Sequence, residues 1–160
     1  MKLRPYIPDT DFDEIKNWIT DERTHAMWCA NRMNFPMEEN CFSEDAFVAT
    51  SDEGEPIGFF CYSVNSDINE GMLKFIMNNP KFRGKGYGKE MLRLAVAYAF
   101  EETNVGTVGL NVFSVNERAR KCYESVGFVE RRTDKDAYVY KDELWDRCNM
   151  IIKKSEIIQN

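Results

Sequence analysis

Two hydrophobic periods alternate along the chain, and each change of period marks a boundary. Residues 2–7 read as a short strand. Asp11 then opens an amphipathic helix that places Phe12, Ile15, Trp18 and Ile19 on one face. From Thr24 to Phe42 the pattern is less regular and rich in Met27, Trp28, Met33, Phe35, Met37 and Phe42, with Pro36 as a break. Period two returns in residues 46–51 and 56–64, joined at the turn Asp52-Glu53-Gly54-Glu55. It returns again from Met72 to Met77, before the polar turn Asn78-Asn79-Pro80.

Helical spacing reappears behind Gly84, Gly86 and Gly88, where Met91, Leu92, Ala95, Val96, Ala99 and Phe100 form a strongly apolar face. Val108, Leu110 and Val112 alternate as a strand. Asn116 is placed to cap a further helix bearing Ala119, Cys122, Tyr123 and Val126. Gly127 stands where a helix end needs a left-handed residue. Two closing strands are expected at roughly 128–140 and 144–153. The resulting order, β-α-α-β-β-β-α-β-α-β-β, predicts one α/β (α+β) domain over residues 1–160. Its central sheet is mixed and mostly antiparallel, of six to seven strands with about four helices.

Charge narrows the partners. Twenty-one basic and 27 acidic residues give a net charge of −6, which disfavours nucleic acid and anionic membrane surfaces as general partners. The longest strictly apolar run, Leu94 to Phe100, is far short of the roughly 20 residues that span a bilayer. Residues 1–6 lack the apolar centre of a secretion signal, so a cytoplasmic location is expected. The five cysteines are scattered without a C-x-x-C pair, and His25 is the one histidine, so no metal site is expected. Buried, reduced thiols are the plain reading; Cys29 and His25, four apart on one helix face, are the weaker alternative of a nucleophile and its base.

Against this acidic background, residues 81–93 hold five cations (Lys81, Arg83, Lys85, Lys89, Arg93) and one acid, Glu90. Glycines let a backbone approach a ligand closely, and successive amides at a helix start bind anions. A phosphate or pyrophosphate is the natural guest. Neither common nucleotide motif fits. A P-loop would need Ser or Thr after Gly88-Lys89, where Glu90 stands, and a dinucleotide fingerprint begun at Gly84 ends on Lys89.

Arg83-Gly84-Lys85-Gly86-Tyr87-Gly88 resembles the R/Q-x-x-G-x-G/A signature of the GCN5-related N-acetyltransferases, the GNAT superfamily. Further on, Asn116 and then Tyr123-Glu124-Ser125-Val126-Gly127-Phe128 look like that family's N-x(6)-Y-x-x-x-G-F motif. The resemblance implies the family's fold and an acetyl-CoA-dependent transfer of an acetyl group to a primary amine of a small molecule or peptide. It implies that the amides of Gly84, Lys85, Gly86, Tyr87, Gly88 and Lys89, with Arg83, hold the pyrophosphate. It implies that the strands near 72–78 and 107–113 splay to admit the pantetheine arm. Ile76, Met77 and Asn78 would then meet that arm through the backbone, with the Met77 amide as the expected oxyanion donor. Asn116 would bind the arm as well as cap its helix.

Tyr123 is the expected general acid, against the alternative of a core tyrosine on the face of Ala119 and Val126. The base is open between Glu70, about two residues early for its family position, and a water relay to a backbone carbonyl. Asn111 stands where some members, notably the ribosomal-protein N-terminal acetylases, carry a glutamate, which counts against that subgroup. The acceptor side is expected from Met27, Trp28, Met33, Phe35 and Trp145, with Glu38, Glu39, Asp134, Asp136, Asp142 and Glu143 nearby for a cationic amine. Core or a homodimer contact is the alternative use of that apolar cluster. A catalytically weak acyl-CoA-binding or sensing domain is the competing function.

Overall fold

The computed structural model describes residues 1–42 and 45–158. Its strands are β1 (Lys2–Pro5), β2 (Asp45–Thr50), β3 (Pro56–Asn65), β4 (Glu70–Asn78), β5 (Thr107–Phe113), β6 (Val129–Tyr140) and β7 (Glu143–Lys153). Its helices are α1 (Pro8–Ile15), α2 (Glu22–Cys29), α3 (Tyr87–Glu102), α4 (Glu117–Val126) and α5 (Lys154–Ile158). One seven-stranded sheet runs β1-β2-β3-β4-β5-β7-β6. Every pairing is antiparallel except β4 with β5. The sequence pattern gave this order; α5 and a 3-10 turn at Pro80–Phe82 are additions.

Strand alternation divides the core into two layers. Phe60, Tyr62, Leu73, Leu110 and Met150 face α3, whose Met91, Leu92, Ala95, Val96, Ala99 and Phe100 are all buried against them. Tyr123 of α4 joins that layer. Phe59, Cys61 and Met77 point the other way, against Ile15 and Trp18 and the α2 region. Burying side chains such as Leu92 or Phe100 contributes roughly 1.5–3 kcal/mol each, so the glycine-led helix is held by its apolar face.

Helix α1 begins earlier than the pattern predicts. Pro8 fixes its first turn, and Asp11 serves inside the helix. One Asp11 oxygen accepts the Ile7 N–H at 2.8 Å, and Arg4 of β1 grips both carboxylate oxygens, each at 2.8 Å. Trp18 and Ile19 lie beyond the end of the helix, yet Trp18 remains buried.

The feature that shapes the site is a bulge. Phe59 faces Met77 and Cys61 faces Lys74, so Phe75 and Ile76 of β4 together oppose the single Phe60 of β3. Phe75 takes a left-handed φ of +53°, a conformation a bulky residue adopts at a cost of about 1–3 kcal/mol. The bend carries β4 away from β5. Their parallel pairing is confined to Glu70↔Thr107, Gly71↔Val108 and Met72↔Gly109. Beyond Met72 the two strands part.

Candidate active site

The gap between β4 and β5 opens into a cleft of about 390 Å³. Asn78 and Asn79 close one end, and Arg83, Gly84, Gly86, Tyr87 and Gly88 form the lip that leads into α3. Gly84 and Gly86 hold φ values of +77° and +79°, and a Cβ on either would meet nothing within 4 Å, so open space lies above their backbone. An uncapped N-terminus of α3 follows at once, without a side chain covering its amides. Such a loop fits a pyrophosphate by close approach and by the helix-start dipole. Lys85 and Lys89 are exposed beside the cleft but do not line it. The Lys85 ammonium stands 5.6 Å from the centre of the Phe82 ring.

The Asn79 N–H bonds to the Ile57 carbonyl at 3.0 Å. Alternation along the regular pairs Gly58↔Asn78 and Phe59↔Met77 therefore turns the Met77 N–H toward β3 as well. The amides of Ile76 and Asn78 are the ones left on the edge facing the gap. Met77 is thus corrected as the expected oxyanion donor: its amide belongs to the sheet, and its side chain is buried in the layer beneath.

From the opposite wall come Asn111 and Val112 of β5 and Asn116, Arg118, Ala119, Cys122 and Tyr123 around α4. Asn116 caps α4, its side chain accepting the Ala119 N–H at 3.3 Å, and it lines the cleft too. Tyr123 is buried at 8% exposure. Among the described residues its hydroxyl has no hydrogen-bond partner, unlike Tyr62, whose hydroxyl meets Thr103 at 2.6 Å. Burial, reinforced by the neighbouring Cys122, pushes the Tyr123 phenol well above the ordinary tyrosine range. It keeps its proton across the whole physiological range.

Glu70 is not brought to the cleft. It stands at the start of β4, where Arg131 grips both of its oxygens at 2.5 and 3.1 Å. No Asp, Glu or His lines the cleft among the described residues. The Cys29–His25 alternative fails equally. His25 is 1% exposed, with Nε2 2.8 Å from the Met33 carbonyl and 3.4 Å from Cys29 Sγ, and burial pushes the Cys29 thiol up.

Of the expected acceptor residues, Met27 and Trp28 do line the cleft. Trp145 is fully buried against Phe113 and Tyr140, and Met33 packs with Phe12, Cys29 and Met37. Lys74 and Arg118 line the cleft and were not anticipated. A cation one step from Leu73 in an otherwise apolar strand was the available signal for Lys74.

The profile of the acetyltransferase (GNAT) family matches residues 12–128. The chain belongs to that family. Among curated GNAT proteins, it is 32% identical over 96 residues to streptothricin acetyltransferase of Streptomyces lavendulae, covering 58% of this chain and 50% of that protein. It is 26% identical over 111 residues to an uncharacterized N-acetyltransferase, YokL, of Bacillus subtilis, covering 66% of this chain and 60% of that protein. The match thus spans half to three fifths of these relatives. The fold matches that of the Vibrio cholerae spermidine N-acetyltransferase in complex with CoA and spermine, with a TM-score of 0.81 and 22% identity over 98% of this chain and 97% of that one.

Proposed function

We propose that the protein is an acetyl-CoA-dependent N-acetyltransferase whose acceptor is a primary amine. The observation that carries this reading is the meeting of three features in one cleft: the open glycine lip, the unpaired edge of β4 and the Tyr123 hydroxyl, which has no partner among the described residues. Acetyl-CoA, when bound, supplies the acetyl group and leaves a thiol. Gly84, Gly86, Gly88 and the start of α3 would hold its pyrophosphate, with Arg83 at the rim. Its arm would take the place of a neighbouring strand for the Ile76 and Asn78 amides, and Asn116 would steady it from α4.

Tyr123 holds a proton at Oη for the departing sulfur, and its burial ensures the proton is present. The incoming amine has to be neutral to attack, although a free alkylammonium titrates near about 10.4. With Glu70 engaged by Arg131, the proton would leave through water to a backbone carbonyl. Lys74 and Arg118, which line the cleft, favour the neutral amine because like charge penalises an ammonium. A sensing domain without turnover would have no use for a buried phenol facing the cleft, so transfer is the better reading.

Thiol release from acetyl-CoA, followed over a panel of polyamines, aminoglycosides, amino acids and peptides, tests the proposal. Amine-dependent release with an N-acetylated product seen by mass spectrometry is expected. Tight acetyl-CoA binding with no product from any amine would overturn it in favour of a sensing domain.

A further inference from the structure

A second cavity of about 250 Å³ shares Met27, Trp28, Lys74, Phe75 and Asn111 with the cleft. Its size suits an amino acid or a very short peptide. Every charged side chain that lines it among the described residues is basic: Arg32 beyond α2, Lys74 on β4 and Arg147 on β7. None of the acids that the sequence offered for this side lines it among the described residues. Glu143 pairs with Arg23, and Asp134, the cross-strand partner of Arg147, has its carboxylate 3.8 Å from Arg132.

Arg32 and Arg147 make no ion pair among the described residues; Arg147 lies 5.8 Å from the centre of the Phe113 ring. The neutral groups add donors. Asn111 Oδ1 is already occupied by Asn149 Nδ2 at 2.9 Å, which leaves the Asn111 NH₂ to donate. The Trp28 indole N–H is buried with no partner among the described residues. Guanidinium groups and spare N–H donors around an aromatic wall complement an oxyanion, and they repel a polycation.

We infer that the acceptor is an amine that also carries a carboxylate, which Arg32 and Arg147 hold while the amino group turns toward the cleft. This rests on the acetyltransferase reading for the cleft itself. The carboxylate belongs either to a free amino acid or to the C-terminus of a short peptide, and both present the same group to the two arginines.

Amino acids and dipeptides, each compared with its own carboxamide, and spermidine as the polycation, are assayed with acetyl-CoA and also titrated calorimetrically into the CoA-saturated protein. Expected is a preference of at least tenfold in kcat/KM for the carboxylate over its carboxamide, with the amino-acid and dipeptide arms separating the two sources. Arg147→Gln and Arg32→Gln should shrink that ratio, chiefly through KM. Arg147→Glu should move the preference toward carboxamides and spermidine. Equal or better use of spermidine or of carboxamides by the wild-type protein would overturn the inference. The calorimetry separates the two claims. Selective binding of carboxylates without transfer would sustain this pocket and overturn the transferase reading, whereas transfer without selectivity would do the reverse.

Discussion

Asn149 of β7 donates through Nδ2 to Oδ1 of Asn111, its partner directly across on β5, at 2.9 Å. Asn149 is only 2% exposed, and its own Oδ1 accepts from Arg131 Nε at 2.8 Å. Arg131 in turn holds Glu70. The carboxylate therefore sits at the far end of a hydrogen-bonded chain that fixes which way the Asn111 amide faces. Glu70 is tied into this chain and does not line the cleft.

Glu70→Gln should accordingly lower kcat/KM by less than about tenfold, well short of the 10²–10⁴-fold that losing a general base costs. The pH profile of kcat/KM should keep its acidic limb. Steady-state kinetics across pH checks both. A hundredfold loss together with a vanished limb would restore Glu70 as the base.

Tyr123→Phe retains the ring, which packs edge-on to Phe128 at 6.3 Å, and removes the proton. Turnover should fall by about 10²-fold. Because the hydroxyl has no partner among the described residues, no hydrogen bond is broken, and the melting temperature should stay within a degree or two. Kinetics beside a thermal melt decides it. A less stable but fully active variant would make Tyr123 a packing residue.

The parts of this site that lie close together in the chain were legible in the sequence. The glycine lip, the start of α3 and the cap of α4 by Asn116 are local, and the helical spacing of Ala119 and Tyr123 put both on one face. Long-range pairings were hidden. The direction of the Met77 amide depends on a bond between Asn79 and Ile57, and the engagement of Glu70 depends on Arg131, 61 residues away. The basic cavity combines the end of α2 with β4 and β7, which no period reveals. The start of α1 was missed because Asp11 looks like a cap but works as the anchor for Arg4 and the Ile7 N–H.

Gly86 and Gly88 should respond differently to a side chain. At Gly88 the backbone is unstrained and a Cβ would touch the Asn78 amide group at 3.4 Å, so Gly88→Val narrows the entrance between them. Acetyl-CoA affinity should fall at least tenfold, about 1.4 kcal/mol, with little change in melting. Gly86→Val adds strain at φ +79°, about 1–2 kcal/mol, and should lower the melting temperature as well. Calorimetry and thermal melts on both variants separate contact from strain. Unchanged affinity in Gly88→Val would put the cofactor elsewhere.

Burial by itself would raise the Asp11 carboxyl, but the Arg4 hydrogen bonds, the Ile7 N–H and the Arg4 charge outweigh it and hold the group below the ordinary 3.8. A carboxyl lowered on folding stabilises the native state above that ordinary value and loses its contribution as pH falls through the lower folded one. Asp11→Asn should cost about 1.5–3 kcal/mol at neutral pH. Urea titrations should show the gap between variant and wild type closing as the pH drops below about 3.8. A gap that is the same at pH 7 and at the acid end would dismiss the ion pair as its source.

The sheet is, in mechanical terms, two leaves. One comprises β1 to β4 and the other β5, β7 and β6, and the stitching between them is confined to residues 70–72 against 107–109. Past that seam two strand edges face each other at a distance neither can close, because the bulge at Phe75 holds them apart. Their open backbone groups line the cleft rather than an outer edge of the sheet. A ligand arm laid between them would act as an eighth strand, completing the ladder and fastening the leaves together. The strain stored at Phe75 keeps that place free.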